Sequence, residues 1–178
     1  MARIALSFDD GPSPLTPWLL DVLAVAGARA TFFVLGIEIA GREVTLRKAV
    51  AAGHEIGVHG WDHTRHPALA ELERTRDLVQ DACGYEATLF RPTYGDVDPT
   101  CPWPPTLWDI AAADWLRPEA GEIVANVLGA AFDGCVVALH DGRRVGPGTV
   151  RAVGTLLPML KRQGYEAVTI SEITRLGD

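Results

Sequence analysis

The sequence predicts an α/β fold in which a parallel sheet, covered by helices, takes the arrangement of a (β/α) barrel. Apolar, β-favouring runs alternate with segments whose apolar residues recur at helical spacing. The apolar runs are nearly uninterrupted, as in parallel strands that are buried on both faces. About seven such units favour a barrel over a flat, doubly wound sheet. The 178 residues, 48% of them hydrophobic, are expected to form one domain, residues 1–178, with a substantial core.

The first half of the chain alternates strands and helices without interruption. The predicted strands cover residues 4–8, 30–35, 54–58 and 87–90. The predicted helices cover residues 16–26, 44–52 and 70–83. For the first helix, Thr16 is the candidate N-cap and Gly27 is the residue that ends it.

The alternation falters between Gly95 and Pro105, a segment with too many prolines for a helix. It then resumes. Further strands are predicted at residues 106–110, 135–139 and 165–169, and further helices at residues 119–131 and 150–163.

The charge pattern argues against two classes of partner. The formal net charge is -7, and no basic cluster is larger than the pair Arg143 and Arg144, whereas a nucleic-acid binder carries a basic patch. An acidic surface is also repelled by anionic membranes, and the longest apolar runs are too short to span a bilayer. We therefore expect no nucleic-acid partner and no membrane partner. We also expect the chain to be a monomer.

The cellular compartment is predicted from the first residues and from the cysteines. Met1 leads into the first strand without a cleavable hydrophobic segment, so the sequence as written predicts a cytoplasmic protein. A secreted protein whose leader had been removed would look the same. Cys83, Cys101 and Cys135 are odd in number and widely spaced, which predicts reduced core thiols and neither a disulfide framework nor a cysteine zinc site.

Ionisable side chains recur where the predicted strands end. In a (β/α) barrel the active site lies at the carboxyl ends of the strands. These positions hold Asp9 with Asp10, His59, Arg91, Asp114 with Trp115, and His140 with Asp141. Polar residues at so many strand ends indicate one active site and not a set of unrelated loop side chains.

Two of these side chains, Asp10 and His59, form a candidate metal site together with His63. His59 and His63 are four residues apart, so one helical turn would place both imidazoles on one face, a spacing suited to a first-row metal ion. Asp10 would complete the set of two histidines and one carboxylate that is typical of catalytic zinc. His63 with His66 is a competing pair, and the segment Asp9-Asp10-Gly11-Pro12, taken alone, also fits a capped turn.

The remaining ionisable residues suit acid and base roles. Asp9 would stand beside the attacking water as a general base, and Arg91 would hold it ionised in a charge-assisted pair. His140 would protonate a leaving amine, and Asp114 would keep that imidazole charged and oriented. The set describes metal-dependent hydrolysis of an acyl group.

The same residues fall into ordered motifs that resemble a known family. The motifs are SFDDGP at residues 7–12, ATFFV at 30–34, GHEIGVHGWDH at 53–63, FRPTYG at 90–95, DW at 114–115 and LHD at 139–141. From Ile4 to about Ile173 the chain resembles the polysaccharide deacetylase family, the NodB-like carbohydrate esterases.

This resemblance implies both an activity and a set of residue roles. It implies a deformed barrel, a divalent metal that is usually Zn²⁺ with Co²⁺ as an alternative, and removal of acetyl from N-acetylglucosamine units or, in some members, from acetylated xylan. It implies the Tyr94 backbone N–H as oxyanion donor and Trp115 with Leu139 as walls of an acetyl pocket. The other implied roles are Asp9 as base with Arg91 as its partner, Asp10, His59 and His63 as metal ligands, and His140 as acid supported by Asp114.

The chain departs from the family pattern at several places. Gly60 replaces a Ser/Thr that braces the metal-histidine loop, Thr93 replaces a proline, and Ala111 replaces an acidic residue. The stretch between Tyr94 and Trp108 is shorter than usual and rich in proline. We therefore expect a barrel that is incomplete or open on one side, with an altered sugar groove in which Trp103 and Trp108 are either stacking platforms or packing residues.

Three hypotheses about function remain open at this point. The leading one is a metal-dependent deacetylase acting on an N-acetylated sugar, which is either an oligosaccharide or polysaccharide or a smaller sugar intermediate. The first alternative is an amidase of the same superfamily that acts on a non-sugar amide. The second is a catalytically silent carbohydrate-binding protein.

Overall fold

A computed structural model describes residues 1–116, 119–142 and 145–174. The strands are β1 (Ala2–Gly11), β2 (Thr31–Leu35), β3 (Glu55–Gly60), β4 (Ile110–Ala111), β5 (Cys135–His140) and β6 (Tyr165–Val168). The α-helices are α1 (Thr16–Ala26), α2 (Gly36–Ile39), α3 (Glu43–Ala51), α4 (Leu69–Cys83), α5 (Ala120–Ala130), α6 (Pro147–Arg162) and α7 (Ile170–Thr174). Short 3₁₀ turns cover Thr93–Gly95 and Asp114–Leu116.

The strands form one parallel sheet in the order β3-β2-β1-β5-β4, with β1 in the middle. Strand β6 pairs with the first half of β1, from Ala2 to Ala5, and β2 pairs with the second half, from Ser7 to Gly11. Beyond β3 the sheet is continued by single bridges from Val58 to Phe90 and from Phe90 to Pro105. The sheet is open and not closed, which confirms the predicted α/β fold of an incomplete barrel.

The proline-rich half of the barrel differs from the sequence prediction. The expected strand at residues 87–90 is reduced to the bridge at Phe90, and the expected strand at residues 106–110 becomes the two-residue strand β4, which starts at Ile110. Pro102, Pro104 and Pro105 lie between the two expected strands and have no N–H to donate, so the pairing described in that segment is limited to the bridge from Phe90 to Pro105.

Most helix boundaries lie within three residues of the prediction, but two helices and one cap do not agree. The short helices α2 and α7 were not predicted, because neither is long enough to show a helical period. Leu15, not Thr16, is the N-cap residue of α1, because the Thr16 hydroxyl bonds to other groups. Gly27 ends α1 in the left-handed conformation, as expected.

The core lies on both faces of the central strands. Phe8 of β1 stacks on Phe32 of β2 with ring centroids 5.3 Å apart, and both side chains are buried. Burying one such side chain contributes about 2 kcal/mol. The three cysteines are free thiols, two half-buried and one buried. Among the described residues, no helix combines the length and the apolar composition that a bilayer crossing would require.

Candidate active site

The carboxyl ends of the central strands open into one cavity of about 460 Å³. Parallel pairing of β1 with β5 sets Asp9 opposite His140 across the sheet. The residues predicted for the site that line this cavity are Asp9, Asp10, His59, His63, Tyr94, Trp115 and His140. Arg91 and Asp114 lie directly behind them and bond to Asp9 and His140.

Bulges in the sheet place two of the three metal-ligand candidates. On β1, Asp9 pairs with Phe33 and Gly11 with Val34, so Asp10 is an extra residue in the pairing. On β3, Val58 pairs with Val34 and Gly60 with Leu35, so His59 is likewise extra. A bulge turns a side chain out of the regular alternation, which is why Asp9 and Asp10 reach the same cavity although they are neighbours in a strand.

The side chains of Asp10, His59 and His63 meet at one point. Their ligand atoms lie within 4.8 Å of one another, and Asp10 Oδ1 is 3.4 Å from His59 Nε2 and 3.3 Å from His63 Nε2. His66, the competing histidine, instead lies 3.2 Å from Asp96 outside the cluster. The geometry therefore favours the pair spaced four apart, but the predicted helical turn is absent: His59 belongs to β3, and His63 lies in the loop after it with φ 71°.

The chemistry of this donor set fits a cation. His59 Nδ1 lies 2.8 Å from the carbonyl oxygen of Arg91, so Nδ1 carries the proton and Nε2 presents a lone pair. That lone pair faces Asp10 Oδ1, a buried oxygen with no hydrogen-bond partner. In the absence of an ion, burial raises the pKa of Asp10, but a hydrogen bond from the protonated form of His59 and the positive charge of the neighbouring imidazoles lower it by more, so the net pKa is below the ordinary value. A divalent ion between the three donors would satisfy them all.

Several site residues have a strained backbone. Asp10, His63 and Tyr94 have φ values of 73°, 71° and 60°, and Ala113, next to Asp114, has φ 60°. Such left-handed conformations cost about 1–3 kcal/mol each for residues other than glycine. Strain of this kind persists where the surrounding fold imposes it, and here it is concentrated in the loops that carry the predicted site.

A buried ion pair fixes Asp9. Arg91 Nη1 donates to Asp9 Oδ1 at 2.9 Å and to the Ser7 hydroxyl at 2.7 Å, and the Ser7 hydroxyl donates to the carbonyl oxygen of Val137. The Arg91 guanidinium also packs on the ring of Phe33, 4.1 Å from its centroid. Because a buried guanidinium needs partners on all sides, this arrangement holds the Asp9 carboxylate in one position.

A second carboxylate orients His140. Asp114 Oδ1 lies 2.8 Å from His140 Nδ1, and Oδ2 accepts the His140 backbone N–H at 2.9 Å and the Thr149 hydroxyl at 2.9 Å. Burial lowers the pKa of His140, but Asp114 and the nearby carboxylates Asp9 and Asp10 raise it more, to about 9. The imidazole is therefore charged near neutral pH. Asp114 bonds to its Nδ1–H and leaves its Nε2–H for another acceptor.

Two loops on the open side of the cavity are joined to each other. Arg65 Nη1 pairs with Asp96 at 2.6 Å, and its guanidinium lies 4.2 Å from the centroid of the Tyr94 ring. The Tyr94 ring in turn meets His63 edge to face at 4.6 Å. The Thr93 hydroxyl donates to the carbonyl oxygen of Thr64. Thr93, which replaces the expected proline, thus supplies a hydroxyl brace to the metal-histidine loop.

The walls of the cavity differ from the expectation at one residue. Trp115 is 47% exposed and meets His140 with ring centroids 5.5 Å apart, as a wall residue would. Leu139 is fully buried in the main core and is not among the described residues that line the cavity. Adjacent residues of a strand face opposite sides, so Ala138 lines the wall in place of Leu139.

Asp141 supports the loop that follows β1. Its backbone N–H donates to the carbonyl oxygen of Asp9, its carboxylate accepts the Thr16 hydroxyl, and its carbonyl oxygen accepts the Ser13 hydroxyl. The carboxylate lies so close to Gly11 that a Cβ there would be 2.4 Å from it. Burial raises the pKa of Asp141 to about 7.

Sequence reasoning missed two residues of this arrangement. Ser7 and Thr149 each bond to a predicted site residue, whereas Trp108, which was predicted as a platform or a packing residue, lines the cavity. Ser7 is the first residue of the motif SFDDGP, so its place in that motif is the signal that points to it. Thr149 stands in no motif and is 35 residues from its partner, so only the fold reveals it.

Comparison with known proteins identifies the family. The family model described as polysaccharide deacetylase matches residues 2–103. Over 182 residues the chain is 37% identical to the peptidoglycan-N-acetylglucosamine deacetylase PgdA of Listeria monocytogenes. The aligned region covers 96% of this chain and 38% of that protein. The chain belongs to the polysaccharide deacetylase family. It spans little more than a third of the length of that curated relative.

Solved structures of two relatives share the fold. The peptidoglycan deacetylase PdaC from Bacillus subtilis matches with a TM-score of 0.90 and 32% identity, covering 99% of this chain and 91% of that chain. A family 4 acetyl xylan esterase from Clostridium thermocellum, in complex with a cobalt ion, matches with a TM-score of 0.91 and 31% identity, covering 98% and 91%. Deacetylases of this family are metal-dependent, and Asp10, His59 and His63 form the candidate metal site of this chain.

Proposed function

We propose that this chain hydrolyses the acetamido group of an N-acetylated sugar and releases acetate and a free amine. The observation that carries the proposal is the convergence of three groups on one cavity: the metal-ligand cluster, the Asp9–Arg91 pair and the His140–Asp114 pair. Amide hydrolysis needs a base for the water, stabilisation for the carbonyl oxygen and an acid for the leaving nitrogen. The cavity offers a candidate for each.

We propose Zn²⁺ as the ion held by Asp10, His59 and His63. Two imidazoles and one carboxylate are the donors of catalytic zinc sites that keep a position open, and Co²⁺ accepts the same donors. When bound, the ion would polarise the acetyl carbonyl and lower the pKa of a water molecule.

Asp9 is the proposed general base. Its carboxylate lines the cavity, and Arg91 fixes one of its oxygens. Asp9 takes a proton from the attacking water while the water oxygen forms a bond to the acetyl carbon. Because Arg91 balances its charge, Asp9 can act in a buried position without losing its orientation.

His140 is the proposed general acid. With Nδ1–H held by Asp114, the Nε2–H proton is directed to the amide nitrogen as the carbon–nitrogen bond breaks. The products are acetate and a primary amine, and the net reaction consumes one water for each amide bond. Asp9 and His140 then return to their starting protonation states by exchange with solvent.

The Tyr94 backbone N–H is the proposed donor to the developing oxyanion. Tyr94 lines the cavity beside His63, and its left-handed backbone re-aims its peptide group relative to a regular turn. The contacts with Arg65 and His63 hold the residue in that conformation.

The proposed substrate is a chain of N-acetylglucosamine-type sugars. The side chains of Tyr94, Trp108 and Trp115 border the cavity and offer aromatic faces on which a sugar ring can pack. The Listeria relative is named for action on N-acetylglucosamine in peptidoglycan, which supports a sugar amide over a non-sugar amide.

Acetate release tests the proposal directly. Zinc-loaded protein is incubated with N-acetylglucosamine oligomers, with the monomer and with acetylated xylan, each with and without a chelator. Chelator-sensitive acetate from the oligomers is expected. Acetate from xylan alone would reassign the substrate to an ester, and no acetate from any sugar would overturn the proposal.

A further inference from the structure

A hydrogen-bond chain runs from the cavity back into helix α6. The Thr149 hydroxyl donates to Asp114 Oδ2 at 2.9 Å, and the other oxygen of Asp114 lies 2.8 Å from His140 Nδ1. Thr149 is 3% exposed. The contact is therefore fixed by the packing of α6 and does not depend on a mobile surface side chain.

The buried position of Asp114 makes this hydroxyl important. The Asp114 side chain is fully buried, and a buried carboxylate is stable only when donors surround it. His140 supplies two donors, its backbone N–H and its Nδ1–H, and Thr149 supplies one from outside that pair. Thr149 also belongs to the first turn of α6, where the helix dipole favours a negative charge.

We propose that Thr149 is a positioning residue for the general acid, because its hydroxyl fixes Asp114 and Asp114 fixes the orientation of His140. The inference rests on the proposed function, since a general acid has a role only if the cavity hydrolyses an amide. Thr149 and Asp114 border a separate cavity of about 340 Å³. Because Thr149 is not among the described residues that line the active-site cavity, it acts through Asp114 and needs no contact with substrate.

Several charged groups surround His140, the proposed general acid. Asp114 bonds to the His140 ring, and Asp9 and Asp10 of β1 add negative charge near it. The adjacent Asp141, whose pKa burial raises to about 7, is a further titratable neighbour. Glu119 and Arg151 border the separate cavity next to Asp114. Thr149 is the neutral donor in this group, so its replacement changes a hydrogen bond without changing the net charge.

Replacement of Thr149 by valine removes the hydroxyl and keeps the shape. Asp114 Oδ2 then loses the donor that fixes the rotation of the carboxylate, so the hydrogen bond from His140 Nδ1 to Asp114 Oδ1 weakens and the imidazolium of His140 is less well stabilised. The pKa of His140 is expected to fall by about one pH unit, which is the effect of one hydrogen bond of ordinary strength. Because Thr149 is not part of the substrate cavity, KM is expected to stay unchanged, and kcat is expected to fall about twofold at a pH equal to the lowered pKa and about tenfold at pH values well above both pKa values.

The test compares Thr149→Val with Thr149→Ser, which retains a hydroxyl. The pKa of His140 is measured by NMR titration of the zinc-loaded protein, with the signal assigned through His140→Gln, and the pH dependence of kcat is measured on the same samples. In Thr149→Val we expect a lower pKa of His140 and a fall in kcat that begins at a lower pH than in the wild-type protein. In Thr149→Ser we expect neither change. An unchanged His140 pKa in Thr149→Val overturns the proposal.

Two controls separate the outcomes. Thermal unfolding reports whether each variant folds, and Thr149→Ala replaces the valine variant if that one does not, with the same expected change. The NMR titration needs no turnover, so it tests Thr149 even if the wild-type protein releases no acetate. Absence of wild-type activity would contradict the proposed function. The pKa of His140 in Thr149→Val would still show whether Thr149 positions Asp114 and His140.

Discussion

Asp10 and His59 occupy matching bulges on the two strands that flank β2. Each is the extra residue where its strand pairs with the same short stretch of β2, Phe33 to Leu35. The two bulges therefore turn the side chains of Asp10 and His59 out of the regular alternation at the same height in the sheet, where the two side chains face each other. Because a bulge fixes backbone direction, the two donors are preorganised before any ion binds.

The metal-ligand assignment predicts a contrast between histidines. His59→Ala and His63→Ala each remove a donor from the cluster, so both variants are expected to lose bound zinc and turnover together. His66→Ala is the matched control, because His66 pairs with Asp96 outside the cluster. Metal content by elemental analysis checks the prediction. Loss of zinc in His66→Ala with retention in His59→Ala would contradict the assignment.

The role of Asp9 predicts a separation of binding from turnover. Asp9→Asn keeps the size of the side chain but removes the base, so kcat is expected to fall at least about 100-fold while zinc stays bound. Asp21→Asn, an identical change at an exposed position of α1, is expected to have no effect. Steady-state kinetics with metal analysis on both variants decides. Near-normal turnover in Asp9→Asn would remove Asp9 from the role of base.

The charged state of His140 predicts an alkaline limit to activity. A general acid must be protonated, and the pKa of His140 is raised to about 9 by its carboxylate neighbours, so activity is retained below that pKa and lost as pH rises through it. A bound dication offsets part of this negative charge and moves the limit to lower pH. Asp114→Asn is expected to move it further in the same direction. A pH profile that His140→Gln leaves unchanged would rule out His140 as the acid.

A histidine remote from the cavity predicts acid sensitivity of the fold. His54 is buried, its Nδ1 accepts the Ala30 N–H, and burial lowers its pKa to about 4. Since the unfolded chain binds the proton near pH 6.5, His54 contributes its full stability above that pH and loses about 3 kcal/mol as pH falls toward 4. Denaturant unfolding across this range, compared with His54→Asn, checks the prediction. Equal slopes of stability against pH in both proteins would contradict it.

The aromatic border predicts an effect on substrate affinity. Trp115 is partly exposed beside His140, so Trp115→Ala is expected to raise KM for N-acetylglucosamine oligomers about fivefold to tenfold. Trp18→Ala, at an exposed tryptophan of α1, is the control and should leave KM unchanged. Kinetics over a series of chain lengths measures the change. Equal KM values in both variants would show that Trp115 does not contact the sugar.

The site was largely predictable because parallel strands end at one edge. Polar residues at the ends of successive strands therefore had to meet, and Asp9, His59 and His140 do. Leu139 lies in the core while His140 lines the cavity, because the side chains of adjacent strand residues face opposite sides. Ser7 and Thr149 depend on partners 84 and 35 residues away, which no local pattern specifies.

The fold was less predictable where proline dominates. Apolar runs indicated the central strands well, since burial on both faces leaves a continuous apolar signal. Between Gly95 and Pro105 four prolines interrupt the row of backbone N–H donors, and the strands expected on either side shrink to bridges and to the short strand β4. The departure from a closed barrel follows from this segment.

The metal content of the purified chain tests the account most directly. Elemental analysis, followed on the same sample by acetate release from N-acetylglucosamine oligomers, measures the ion and the activity together. The account predicts about one zinc per chain and acetate release that a chelator abolishes and added zinc restores. Full acetate release from a chain that holds no metal would contradict it.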